Sequence, residues 1–112
     1  MDITITRTTD TFVLGKIESI PLDEGRVFQV EDVRVAVFRT RNGNLYATQA
    51  DCPHRGGPLA DGVVGAGRVI CPLHANAFDL ATGAALSQSC RALTIYTITT
   101  DAKGDMLLTI TD

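Results

Sequence analysis

Two short segments constrain this 112-residue chain more than any other feature: Cys52-Pro53-His54 and Cys71-Pro72-Leu73-His74. They hold the only two histidines and two of the three cysteines, with sixteen residues between His54 and Cys71. Chance rarely places both histidines of a chain within three residues of a cysteine. The pairs therefore point to one site taking two thiolates and two imidazoles, a donor set that suits zinc or iron–sulfur chemistry. Such a site requires a fold that brings two loops together. Pro53, Pro58 and Pro72 exclude a long helix or a central strand through those points.

The rest of the chain reads as strands and turns. Apolar or β-branched runs cover Phe12–Ile17, Arg26–Val30, Arg34–Thr40, Leu45–Gln49, Arg68–Cys71, Ala92–Thr99 and Met106–Ile110. Turn clusters separate them: Asp23-Glu24-Gly25, Asn42-Gly43, Asp61-Gly62, Gly65-Ala66-Gly67, Thr82-Gly83 and Lys103-Gly104-Asp105. Asn42-Gly43 predicts a type I′ hairpin. No stretch of ten residues shows a capped helical period. The clearest strand signals lie at 12–49 and 92–110, while 51–90 is richer in Gly and Pro and holds every Cys and His. This predicts one domain over 1–112: an all-β, antiparallel sandwich or small barrel carrying a two-loop insertion over about 51–83.

Composition removes several function classes. The net charge of −3 excludes a nucleic-acid binder working by bulk positive charge, and it disfavours an anionic membrane surface. No apolar run nears the roughly 18–20 residues that span a bilayer. Met1–Asp10 shows no secretory h-region, and three cysteines are an odd number for a disulfide framework, so a reducing cytoplasm is the expected compartment. Gly62–Gly67 lacks the Lys-Ser/Thr ending of a phosphate loop. Cys90 has no neighbouring ligand and reads as a small buried hydrophobe. Arg34, Arg39 and Arg41 read as solvent-facing charges, and Asp79 with Thr82 as the tie of a turn.

The ligand order separates the metals. Zinc fingers group cysteines in one arm and histidines in another. Here each arm supplies one of each, which suits a [2Fe–2S] centre with both thiolates on one iron and both imidazoles on the other. A structural zinc-binding domain is the bland alternative.

The segments C-P-H-R-G-G-P-L (Cys52–Leu59) and C-P-L-H-A-N-A-F-D-L-A-T-G (Cys71–Gly83) resemble the Rieske [2Fe–2S] proteins. Within that family the chain is most similar to the small subunits of NADH-dependent nitrite reductases. Ferredoxin components of aromatic-ring oxygenases are similar in length. Ala75 departs from the pattern, which has Gly after the second histidine. The resemblance implies one cluster per chain, with Cys52 and Cys71 on the inner iron and His54 and His74 on the outer. It implies a one-electron relay with no substrate chemistry of its own. Its partners would be a flavin/NADH reductase or large subunit and a terminal acceptor enzyme. High-potential members carry an extra cysteine in each loop, at positions matching Gly57 and Leu73, and Ser and Tyr donors at positions matching Asn76 and Phe78. Leu59, Pro72 and Leu73 are expected to ring the imidazoles with apolar surface.

Overall fold

The computed structural model describes residues 9–53, 56–72, 76–86 and 91–111. Among these residues nine strands follow in chain order: β1 (Thr9–Lys16), β2 (Glu24–Val30), β3 (Val33–Arg39), β4 (Leu45–Gln49), β5 (Val63–Gly65), β6 (Arg68–Ile70), β7 (Ala77–Asp79), β8 (Ile95–Thr100) and β9 (Asp105–Thr111). The only helical elements among the described residues are 3₁₀ turns at Ile17–Ser19 and Leu59–Asp61. Among the described residues no helix is long and apolar enough to cross a membrane. The all-β expectation holds.

Six strands form one curled antiparallel sheet in the order β1-β9-β8-β4-β3-β2, and β5-β6-β7 form a second, smaller one. The division follows the sequence: the large sheet is built from both ends of the chain, and the small sheet from the Gly- and Pro-rich middle. Two strands of the small sheet, β5 and β7, escaped the sequence reading. At three residues each they are too short to display an alternation.

Strand β3 is the wall between the two halves. Val35, Ala36, Val37 and Phe38 are all buried, as expected of a strand covered on both faces. Val35 and Val37 join Ile20, Ala47, Met106 and Leu108 in one core. Ala36 and Phe38 face the other way, into a core with Leu59, Val69, Phe78 and Leu80. Side chains alternate across a strand, so one apolar run serves both cores.

The hairpin turns differ in type from the expectation. At Asn42-Gly43 only Gly43 has a positive φ, of 89°. The Gly43 amide donates to the Thr40 carbonyl at 2.8 Å, and the Thr40 amide to the Asn44 carbonyl at 2.9 Å. This is a type I turn closed by a left-handed glycine. Asn42 uses its Oδ1 to accept the Thr40 hydroxyl instead of taking the left-handed region itself. The type I′ geometry occurs between β5 and β6, where Ala66 and Gly67 have φ of 52° and 75°. Arg39 also departs from its expected solvent-facing role. It is half-buried, its Nη1 donates to the Ile20 carbonyl at 2.9 Å, and its Nε is buried without a partner.

Candidate metal centre

The first cysteine loop grows out of β4. Ala50 accepts the Leu59 amide at 3.1 Å and Asp51 pairs with Pro58, so the chain leaves and returns side by side. The Arg34 Nη1 donates to both Asp51 carboxylate oxygens, at 2.8 and 2.9 Å, across the base of this loop. Both side chains are about half exposed, so the pair positions more than it stabilises. The Cys52 amide donates to the Gly57 carbonyl at 2.8 Å. The Gly56 amide returns to the Cys52 carbonyl at 2.8 Å, with φ at 71°, where a glycine is at ease.

The second loop joins β6 to β7 and closes in the same way. Ile70 pairs with Ala77, and the Cys71 amide donates to the Asn76 carbonyl at 2.7 Å. In both loops a cysteine N–H reaches the carbonyl five residues on. The two loops are therefore equal in span although their histidines sit at different offsets from the cysteine, +2 and +3.

Both cysteines are buried, Cys52 at 3% and Cys71 at 1% exposure, and both belong to the core of Leu59, Val69 and Phe78. Neither forms a disulfide. His54 and His74 lie outside the described residues, as do Arg55, Leu73, Ala75 and Cys90. The structure therefore brings the two predicted thiol ligands into one core. The expected apolar rim is corrected at Leu59: it is wholly buried beneath the loops, while Pro72 is exposed. Its burial follows from the 3₁₀ turn at Leu59–Asp61, which turns the side chain inward under β3.

The residues present fit a [2Fe–2S] group. Two thiols in an apolar core are soft donors held away from water, suited to sulfide-bridged iron. Asn76, singled out in the sequence by its position in the second loop, is 8% exposed and its Nδ2 has no hydrogen-bond partner.

Beyond β7 the Asp79 carboxylate ties the following turn as expected. Its Oδ2 accepts the Thr82 hydroxyl at 2.8 Å and the Thr82 amide at 2.9 Å. The Thr82 hydroxyl lowers the Asp79 pKa below its ordinary 3.8, helped by that amide and opposed by desolvation. A lowered folded-state pKa contributes stability above the unfolded value and loses it as pH falls through the folded one. Thr82→Ala is therefore expected to reduce stability at pH 6 and to flatten the loss below about pH 4, read by urea unfolding across that range.

Comparison with known proteins agrees with this centre. The family model for the Rieske [2Fe-2S] domain matches residues 10–97. The chain is 38% identical over 69 residues to apoptosis-inducing factor 3 of Homo sapiens, covering 62% of this chain but only 10% of that protein. It is 36% identical over 75 residues to the ferredoxin component of the naphthalene 1,2-dioxygenase system of Pseudomonas putida, covering 62% of this chain and 71% of that protein. Among solved structures, a Mycobacterium tuberculosis protein assigned as the small subunit of NADH-dependent nitrite reductase superposes with a TM-score of 0.84. That match is at 20% identity, over 92% of this chain and 96% of the other, and it shows the shared fold. The ferredoxin of carbazole 1,9a-dioxygenase from Nocardioides aromaticivorans IC177 gives a TM-score of 0.80 at 26% identity, over 88% and 95% of the two chains. With two buried cysteines on matched loops and a family match across most of its length, this chain belongs to the Rieske [2Fe–2S] family and is an electron-transfer protein.

Proposed function

We propose that the chain is the small subunit of an NADH-dependent nitrite reductase, passing single electrons through a cluster held by Cys52, His54, Cys71 and His74. The observation that carries the electron-carrier part is the pair of matched loops delivering Cys52 and Cys71 into one buried core. The nitrite reductase part is supported by the text of the two ligand segments and by the 0.84 superposition. When bound, the cluster supplies a one-electron couple near neutral formal charge, since two imidazoles replace two thiolates. The chain's own work is to fix the donors, to keep water from the thiolates with Leu59, Val69 and Phe78, and to set hydrogen bonding around the sulfurs.

A second reading is a ferredoxin component of a multicomponent oxygenase, favoured by the 36% identity to the naphthalene dioxygenase ferredoxin. Reconstitution separates the two. Stopped-flow mixing with the flavin- and siroheme-bearing large subunit of a nitrite reductase should reduce the cluster with NADH. Reduction only by an oxygenase-system reductase, with onward transfer to an oxygenase, would give the second reading.

The potential is expected in the lower part of the roughly −150 to +300 mV range of His-ligated clusters. Position 57 is glycine, so no second cysteine pair clamps the loops, and Phe78 has no hydroxyl to donate. Voltammetry giving a midpoint well above zero against hydrogen would contradict this.

A further inference from the structure

We propose that the outer face of the small sheet pairs with the same face of a second copy of this chain, about a two-fold axis running along the strands between β6 and β7. The register sets Val63, Ile70 and Ala77 side by side across β5, β6 and β7. The Leu86 amide donates to the Ala77 carbonyl at 2.8 Å, which adds Leu86 to the same row. Val64, Val69 and Phe78, next along each strand, point into the core, so this row points outward. Its large members are exposed, Val63 at 67%, Ile70 at 38% and Leu86 at 50%. A contiguous apolar row marks a contact surface, as single scattered residues do not. Two residues along the strands the same face carries a second row: Gly65, Arg68, Asp79 and Ala84.

The charges in that second row indicate what covers the face. A two-fold axis along the strands reverses their order. It sets Arg68 over the second copy's Asp79, and Asp79 over the second copy's Arg68. The same operation sets Ile70 over the small Ala77 and Val63 over Leu86. The face is therefore complementary to itself in charge and shape, as an isologous contact requires. Arg68 is exposed, and among the described residues no carboxylate lies within ion-pair distance of it. Face-to-face sheets pack with their strands nearly aligned, which this axis satisfies. A row of this size offers on the order of a few hundred Å², below the roughly 800 Å² per partner of a standard complex, so the dimer is weak and reversible. The axis leaves both Cys71 loops at the same end of the pair, where two one-electron carriers can face one acceptor.

Sedimentation equilibrium of the purified, intact chain, from micromolar to millimolar concentration, reads the pairing. The parent should pass from monomer to dimer mass, and Ile70→Lys should stay monomeric. Arg68→Glu sets like charges opposite each other and should raise the dissociation constant about tenfold or more. Mixing Arg68→Glu with Asp79→Arg should give a heterodimer, because both cross-pairs are then opposite in sign while each variant alone is repelled. Asp79→Arg also gives up the bond to Thr82, so Val63→Lys mixed with Leu86→Glu is a second swap at exposed positions. Far-ultraviolet circular dichroism checks that each variant keeps the fold. A parent that is monomeric at every concentration overturns the proposal. So does an Arg68→Glu variant that pairs as tightly as the parent, or folded variants whose mixtures associate no better than either alone. A monomeric parent whose Ile70→Lys variant loses electron exchange with its reductase gives the face to that redox partner and likewise overturns the pairing.

Discussion

Cys71→Ser is expected to yield a colourless protein with almost no iron or acid-labile sulfide, and with a thermal midpoint roughly 10–20 °C below the parent holoprotein. A serine hydroxyl does not replace a thiolate as a soft ligand. The loss is more than one bond, because Cys71 lies at 1% exposure in the core shared with Cys52, Phe78 and Leu59. A lone buried thiolate is costly, and on the proposed ligand set Cys71 shares the charge of the irons with Cys52. Without metal the two loops rely on backbone closures such as Cys52 to Gly57 and Cys71 to Asn76, and on the half-exposed Arg34–Asp51 pair. Iron and sulfide assays with calorimetry check the outcome. Full cluster content in this variant would remove Cys71 from the ligand set.

Gly62→Ala carries the largest effect that does not touch a ligand. A Cβ at Gly62 would stand 2.2 Å from the Ile70 carbonyl oxygen and 3.1 Å from the Leu59 carbonyl oxygen. Both are backbone atoms, so no rotamer change relieves the contact. The expected cost is about 3 kcal/mol, the upper part of the usual overpacking range. Because Ile70 directly precedes Cys71, the displacement also loosens the second loop, and cluster occupancy should fall with stability. Gly65→Ala is the control: nothing lies within 4 Å of the added carbon and the backbone is not left-handed. That change should stay within about 0.5 kcal/mol. Urea unfolding of both variants reads the contrast, and equal stabilities would mean that β5 and β6 are not so closely apposed at their base.

The large sheet was legible because its strands are long enough to show alternation and are bounded by turn residues. Leu45–Gln49 was placed to the residue, and Arg34–Thr40 to within one. The double burial of β3 was less visible, since a continuous apolar run does not say what covers each face. The turn chemistry misled at Asn42-Gly43, where the Thr40 hydroxyl engages the Asn42 side chain. The type I′ turn fell instead on an alanine. At the site, the cysteines and their loops followed from composition and spacing. The burial of Leu59 and Asn76 did not, because whether a loop residue faces core or solvent depends on backbone direction that the sequence leaves open. Leu59 turned inward through a 3₁₀ turn, and Asn76 became a buried donor by closing the Cys71 loop.

Paramagnetic resonance of the purified, anaerobically reduced protein tests the central claim most directly. Two thiolates and two imidazoles on one diiron core should give a rhombic signal with an average g below the free-electron value, from a red-brown sample with two irons and two sulfides per chain. A colourless, zinc-containing protein, or a signal typical of an all-cysteine cluster, would contradict it.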